Sequence, residues 1–188
     1  MSDQPEVDYG PLAGLIGVWK GDKGMDVAPD PDGAENNPYY ETITFSAVGD
    51  VTNAESQVLS VLHYRQIVQR KSDDQVFHDE TGYWMWDPRS GTITHSLTIP
   101  RAVCVLAGGT RDGAADQNGE VVLEVAAAVD DSDWGIVQSP FMQQNARTVA
   151  FRHRITVGNG KLAYSETTMV DIYGKVFEHT DANELSLQ

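Results

Sequence analysis

The stretch GLIGVWKG, Gly14–Gly21, places a tryptophan between two glycines near the start of the chain. In a sheet that closes on itself, the first strand pairs with both the second and the last strand, and a large flat side chain on it can fill the closed end. Glycines beside that side chain allow close approach and sharp bending of the backbone. We therefore predict that Trp19 is a buried structural plug rather than a ligand contact, with Gly17 and Gly21 permitting its packing.

Beyond this stretch, segments rich in Val, Ile, Thr and aromatic residues alternate apolar and polar positions, which is typical of strands. Breaks such as DPRSG, GNGK and DIYGK supply the glycines that tight turns need. The longest helical pattern, residues 9–17, spans about two turns. Together with VWKG, roughly ten strands are expected, the others being residues 39–47, 57–70, 75–87, 91–100, 101–109, 119–129, 146–157, 161–172 and 175–187.

An antiparallel meander without crossover helices protects its edges most simply by closing. We therefore predict an all-β fold, a closed antiparallel up-and-down β-barrel of about ten strands, forming one domain over residues 1–188 with room for one small ligand. Two segments rich in Gly, Pro, Asp and Asn do not fit the meander, residues 22–38 and 108–120. We expect these to be long surface loops, either lids at the barrel mouth or mere decoration.

Composition narrows the classes of partner. The 13 basic and 28 acidic residues give a net charge of −15, which disfavours nucleic acid and anionic membranes. The start MSDQPEVDYG has no positive segment of the kind a secretion signal needs, and no apolar run is long enough to span a membrane. A cytoplasmic protein is expected. The single Cys104 fits a reducing compartment and is interpreted as a small buried apolar residue.

Strand alternation places two histidines on mixed faces that line either a cavity or its rim. On one face of residues 75–87, His78 and Glu80 accompany two tryptophans, and in the last strand His179 shares a face with Phe177, Asp181 and Asn183. Faces that mix polar and aromatic residues are expected where a barrel interior is a lined cavity.

The other three histidines show no metal-ligand spacing, so no zinc site is predicted. His63 and His95 lie in separate strands. His153 alternates with Arg152 and Arg154, and we expect it on a charged or partly exposed face.

Three motifs, in this order and spacing, resemble the nitrobindin family. They are LAGLIGVWKGDKG near the start, VFHDETGYWMW in the middle and KLAYSETTMVDIYGKVFEHTDANEL at the end. The resemblance implies a ten-stranded barrel like those of fatty-acid-binding proteins and lipocalins, holding haem b. In this chain the family's Gly-x-Trp-x-Gly-x-Gly pattern carries one extra residue, between Gly21 and Gly24.

The resemblance also implies roles for individual residues. His179 matches the axial ligand of the haem iron, Met169 a methionine of the pocket, and His78 a histidine on the open side of the haem. Arg147 is the nearest cation for a haem propionate. Asp181 is a candidate acceptor for the second ring nitrogen of His179, with a backbone carbonyl as the alternative.

Two functions follow. The first, which the resemblance implies, is a ferric haem protein that binds nitric oxide and acts as a peroxynitrite isomerase, converting peroxynitrite to nitrate. In it His78 either orients the anion or is only a hydrogen-bonded cavity histidine beside Glu80. The second is a haem-free barrel that carries a fatty acid or another small apolar ligand, with His179 only lining the cavity. The sequence leaves a homodimer open as an assembly state.

Overall fold

Short hairpin turns join long strands along this chain, as the alternating pattern predicts. The structure, a computed structural model, describes residues 7–111 and 118–188. Within these residues a 3₁₀ helix, Gly10–Leu15, precedes the first strand and one α-helix, α1 (Pro140–Asn145), follows the eighth. The strands are β1 (Gly17–Asp30), β2 (Gly33–Asn53), β3 (Gln57–Arg70), β4 (Val76–Asp87), β5 (Thr92–Ile99), β6 (Val103–Thr110), β7 (Val121–Ala128), β8 (Gly135–Gln138), β9 (Ala146–Gly158), β10 (Lys161–Ile172) and β11 (Lys175–Leu187).

The strands form a closed antiparallel barrel. Ladders run from β1 through β2, β3, β4, β5 and β6 in chain order, and from β1 through β11, β10, β9 and β7 on the other side. β5 pairs with β6, and β6 meets β7 at Gly108 and Ala126, which completes a ring of ten strands. The predicted fold is therefore confirmed. β8, which the sequence analysis did not predict, pairs with residues 103–106 of β6. Cys104 in this segment is exposed, so the expectation of a buried side chain there is wrong.

Trp19 fills the closed end of the barrel as predicted. Its side chain is 1% exposed, and its indole Nε1 donates a hydrogen bond of 2.7 Å to the carbonyl of Leu15. β1 pairs with both β2 and β11 at this level. A Cβ at Gly21 would lie 2.7 Å from the backbone oxygen of Glu184, so glycine is needed for this close approach.

The 3₁₀ helix covers the same end, in agreement with the predicted helical turn at 9–17. Leu12 and Leu15 are fully buried there. Gly10 has a φ of +49° and packs so closely that a Cβ would overlap the ring of Trp86. Helix and tryptophans therefore seal this end with apolar surface.

The expectation of a surface loop at residues 22–38 is wrong. Both flanks of this segment are strand, with residues 24–30 of β1 paired to residues 33–39 of β2 around a short turn. The Gly, Pro, Asp and Asn residues have a weak preference for strands, so the sequence pattern did not indicate a hairpin. The hairpin forms because cross-strand pairing outweighs that weak preference. In the second predicted loop, residues 108–110 belong to β6, and residues 112–117 lie outside the described residues.

The extra residue between Gly21 and Gly24 is a β-bulge. The pairing of β1 shifts register in this interval against both of its neighbours. Because side chains alternate along a strand, one added residue reverses which positions face inward. Trp19 points into the barrel before the bulge, and Asp26 points into it afterwards.

Candidate functional site

A cavity of about 360 Å³ occupies the end of the barrel opposite Trp19. It is lined by the later part of β1, the start of β2, the second half of β3, the first half of β4, the adjoining ends of β5 and β6, the first halves of β9 and β11, most of β10, and Met142 of α1. The strands supply alternate residues to it, as period-2 geometry requires. This cavity is the candidate functional site.

The structure brings two of the four predicted site residues to the cavity. His78 and His179 line it, on β4 and β11. Met169 lies between the lining residues Thr168 and Val170, on the outer face of β10. Arg147 likewise lies between two lining residues of β9 and is exposed. Neither Met169 nor Arg147 faces the cavity, because strand alternation turns both side chains outward.

His179 is held by two carboxylates. Its Nε2 lies 2.6 Å from Oδ1 of Asp26 and 3.3 Å from Oδ2 of Asp181. The Nδ2 of Asn37 donates to the second oxygen of Asp26 at 3.0 Å. The sequence predicted Asp181 beside His179, but the shorter contact comes from Asp26, and both carboxylates meet the same ring nitrogen.

This cluster shifts the pKa values of its members. Burial opposes the charged form of His179, but the hydrogen bond to Asp26 and the charge of Asp181 outweigh burial and raise the pKa of the imidazole. Burial, together with the charge of Glu166, raises the pKa of Asp181 to about 7. The group therefore places excess negative charge around one imidazole.

His78 begins a second polar chain that leads from the cavity into the core. Its Nε2 lies 3.4 Å from Oε2 of Glu80. The other oxygen of Glu80 accepts a hydrogen bond from the hydroxyl of Tyr64, which is 2.8 Å from Nε2 of His95. His95 is fully buried and stacks on Trp84 with ring centroids 4.2 Å apart.

The two histidines of this polar network, His78 and His95, differ in charge. Burial opposes the charge of His78, but the hydrogen bond and charge of Glu80 prevail and raise the pKa of His78 to about 9. Burial lowers the pKa of His95 to about 3, with a contribution from the charge of His153. At neutral pH the cavity histidine is a cation and the core histidine is neutral.

The expectation for His153 is wrong. This side chain is 6% exposed, and its Nδ1 lies 2.7 Å from Oε2 of Glu166, a cavity residue. Arg152 and Arg154 do lie outside. The alternation of this strand is therefore as predicted, but His153 lies on its inner face and not on its outer face. Phe151 and Ile155 share the face of His153, and these apolar neighbours are the sequence signal that indicates an interior position.

Apolar side chains form a large part of the cavity lining. They are Val68, Phe77, Leu97, Ile99, Val103, Val105, Phe151, Val170 and Ile172. Two arginines also line the cavity. The guanidinium carbon of Arg70 lies 5.0 Å from the centre of the Phe77 ring, and Arg101 donates to the carbonyl of Phe77. These cations replace Arg147 as candidates for binding a carboxylate at the cavity.

Sequence reasoning missed Asp26, Asn37 and the two arginines. Asp26 and Asn37 lie in the segment interpreted as a loop, so no strand face was assigned to them. Arg70 is the last residue of β3, and Arg101 lies in the turn between β5 and β6. At such positions, strand alternation does not predict the direction of a side chain. Asp26 could be found only by recognising the extra residue before Gly24 as a bulge.

No helix among the described residues is long and apolar enough to cross a membrane. In comparisons with known proteins, no curated sequence matches at a significant level. A solved structure, "Crystal Structure of Rv2717c from M. tuberculosis", matches with a TM-score of 0.72 and 22% identity, covering 97% of this chain and 99% of that one. This similarity supports the barrel fold.

A family model described as "THAP4-like, heme-binding beta-barrel domain" matches residues 8–186. The match covers the 3₁₀ helix, every strand of the barrel and the cavity histidines. It confirms the resemblance to nitrobindins that the sequence motifs indicated. The chain therefore belongs to the THAP4-like, haem-binding β-barrel domain family.

Proposed function

We propose that the cavity binds haem b and that His179 holds the iron. The observation that carries this proposal is the position of His179. Its imidazole lines a cavity that also has many apolar lining side chains. The chain itself belongs to a haem-binding family. Imidazole nitrogen is a common axial ligand of haem iron, and a haem ring requires apolar walls.

The donor set fits haem with one adjustment. His179 supplies the nitrogen, and Arg70 and Arg101 supply cations for the propionates. The Nε2 of His179 contacts Asp26 at 2.6 Å, so binding iron through this nitrogen requires that contact to open. Asp26 is then free to accept a bond from a different group, and its carboxylate stays anchored by Asn37.

When bound, ferric haem would supply an iron that takes nitric oxide and isomerises peroxynitrite to nitrate, which is the reaction we propose. His78 carries a positive charge at neutral pH because its pKa is raised to about 9. A cationic N–H donor in the cavity can orient an anion such as peroxynitrite. Glu80, whose Oε2 lies 3.4 Å from Nε2 of His78, holds the imidazole in position.

Titration with hemin tests the proposal. The parent should develop a Soret band with one hemin per chain, and His179→Ala should lose the histidine-ligated spectrum. Added imidazole should partly restore it by filling the vacated volume. Glu178→Gln, whose exposed side chain adjoins His179 on the outer face of β11, is the matched control and should bind hemin like the parent. A His179→Ala protein with an unchanged Soret band would place the iron elsewhere.

The role of His78 is tested separately. His78→Ala should retain hemin and alter only the kinetics with nitric oxide or peroxynitrite, because the side chain acts on the ligand rather than on the iron. Unchanged kinetics would remove His78 from the mechanism.

The alternative function is transport of an apolar carboxylate such as a fatty acid. The observation that favours it is the pair Arg70 and Arg101 beside an apolar wall, since a cationic clamp is what a fatty-acid headgroup needs. Arg152 and Arg154, the clamp expected from the sequence, face outward. Displacement of a fluorescent fatty acid by palmitate, with no Soret band after hemin addition, would favour this function.

A further inference from the structure

Three side chains of metal-ligand type converge at the cavity. One ligand atom from each of Asp26, His179 and Asp181 lies within 4.8 Å of the others. We propose that these three residues bind one divalent first-row transition metal ion, with His179 Nε2 and one oxygen of each aspartate as ligands. This site differs from a haem site, because it needs the two carboxylates that haem iron does not use.

The distances suit one ion. Metal bonds to imidazole nitrogen and carboxylate oxygen are about 2.1 Å, which places neighbouring ligands of an octahedral ion roughly 3.0 Å apart. The Nε2 of His179 lies 2.6 Å from Asp26 and 3.3 Å from Asp181. These values lie on either side of the required spacing, so small side-chain rotations are enough to form the site.

The strand ladder fixes the ligands. Asp26 of β1 is the direct partner of Asp181 in β11, and His179 is two residues from Asp181 on the same face. On the other side, Asp26 is the direct partner of Asn37 in β2. Sites carried by paired strands hold their ligands more rigidly than sites carried by loops.

Asn37 orients the carboxylate of Asp26. It is 6% exposed and binds Oδ2 of Asp26, which leaves Oδ1 directed at His179. An outer residue that orients a metal-binding carboxylate in this way is typical of metal sites. Glu166, the cross-strand partner of Asp181, is bound by His153 and so serves as a neighbour rather than a ligand.

The ligand set selects the class of ion. Two carboxylates and one imidazole suit Mn²⁺, Fe²⁺ and Zn²⁺, whereas Mg²⁺ prefers an all-oxygen shell. Three protein ligands on one side leave the remaining positions open to the cavity. A metal ion with open positions can bind a small anionic or oxygen-containing ligand there.

Calorimetric titration of the haem-free, chelator-treated full chain with Zn²⁺ tests the site. The parent should bind one Zn²⁺ per chain, with Mg²⁺ at least tenfold weaker. Asp181→Asn and His179→Gln should each weaken Zn²⁺ binding at least tenfold. Glu178→Gln removes a carboxylate from the outer face of the same strand and should bind Zn²⁺ like the parent. Bound Zn²⁺ should raise the melting temperature of the parent and of Glu178→Gln, but not of the two ligand variants.

Two results would overturn the metal site. One is the absence of saturable Zn²⁺ binding by the parent. The other is equal Zn²⁺ affinity of Asp181→Asn and Glu178→Gln, because Zn²⁺ would then be bound by acidic residues on the protein surface. Far-UV circular dichroism identifies any variant that fails to fold, and the isosteric Asp181→Asn keeps the test decisive if His179→Gln does not fold.

Hemin titration of the same proteins separates this inference from the proposed function, with which it shares His179. Asp181→Asn should still bind hemin, while His179→Gln should not. Zinc-loaded parent should bind hemin at least tenfold more weakly, since both ligands need the same nitrogen. If His179 is shown to hold haem, unimpaired hemin binding by the zinc-loaded protein would overturn the metal site. Zinc binding without hemin binding would overturn only the haem proposal.

Discussion

Trp19 illustrates how one side chain can contribute to barrel closure. It is almost wholly buried among apolar neighbours, and its one polar atom is satisfied by Leu15. Its flanking glycines allow β1 to lie close to β11, since a Cβ at Gly17 would lie 2.6 Å from Leu187 and one at Gly21 would lie 2.7 Å from the backbone oxygen of Glu184. Removing the ring would leave a large cavity at a position where the backbone has no freedom to collapse.

We expect Trp19→Ala to lower the free energy of unfolding by about 3–5 kcal/mol, as for other large buried aromatic side chains. Urea denaturation measures this value. Ligand affinity per folded molecule should stay similar, since the cavity lies at the other end. Phe141→Ala is the matched control, because Phe141 is 70% exposed, and it should change stability by less than about 0.5 kcal/mol. Equal free energies of unfolding for the parent and Trp19→Ala would contradict the role of Trp19 as a structural plug.

His95 should make stability depend on pH. Its folded pKa of about 3 lies below the ordinary value near 6.5, so between these values the unfolded state binds a proton that the folded state does not. The contribution of His95 is therefore fully present above pH 6.5 and is lost as pH falls towards 3. The slope is at most about 1.4 kcal/mol per pH unit.

This prediction can be checked with His95→Phe, which keeps an aromatic ring stacked on Trp84. Urea denaturation between pH 4 and 6.5 should show a shallower loss of stability in the variant than in the parent. Parallel pH profiles would show that His95 is not the titrating group.

At the scale of elements, the bulge in β1 decides what faces the cavity. Without it, alternation from Trp19 would direct odd-numbered residues inward, and Asp26 would face outward. With it, Asp26 reaches His179 although 153 residues separate them in the chain. The candidate site therefore depends on the hairpin of β1 and β2 as much as on its own side chains.

Gly24, at the end of the bulge, should be intolerant of a side chain. A Cβ there would lie 2.0 Å from a ring carbon of Tyr39, which is fully buried and bonded through its hydroxyl to Tyr164. We expect Gly24→Ala to lower the free energy of unfolding by about 1–3 kcal/mol through overpacking.

Gly135→Ala is the matched control for this prediction. A Cβ at Gly135 meets no atom within 4 Å among the described residues, so this variant should be close to neutral. Thermal unfolding of both variants gives the comparison. A Gly24→Ala protein as stable as Gly135→Ala would show that Tyr39 can move aside at little cost.

At the scale of the whole molecule, closure joins each of the ten strands of the ring to two neighbours and makes the barrel one cooperative unit. We therefore expect the single domain predicted from the sequence to unfold in one transition. Tryptophan fluorescence reports mainly the closed end, where Trp19, Trp84 and Trp86 lie buried, whereas far-UV circular dichroism reports all strands. Their urea midpoints should coincide. Separate midpoints would indicate more than one folding unit.

The sequence alone determined most of the strands, their alternation and the closure of the barrel, but not β8 or the hairpin within residues 22–38. Burying one face of a strand imposes a period of two on the residues themselves, so the local pattern placed His78 and His179 on faces that mix polar and aromatic residues, and the family resemblance then assigned both to the cavity. The same pattern would have placed His153 inside with Phe151 and Ile155, had its apolar neighbours been weighed above its charged ones. The family motifs then added the expectation of haem, which the match to a haem-binding family supports.

Only the tertiary structure decided which polar groups meet at the cavity. The pairing of Asp26 with Asp181, and hence the contact of Asp26 with His179, follows from strand register and from one bulged residue. Register is set by the summed packing of β1 against β2 and β11, whose partners are distant in the chain. Met169 and Arg147 face outward for the same reason, because motif matching fixes a position along the strand, while only pairing fixes the direction of its side chain.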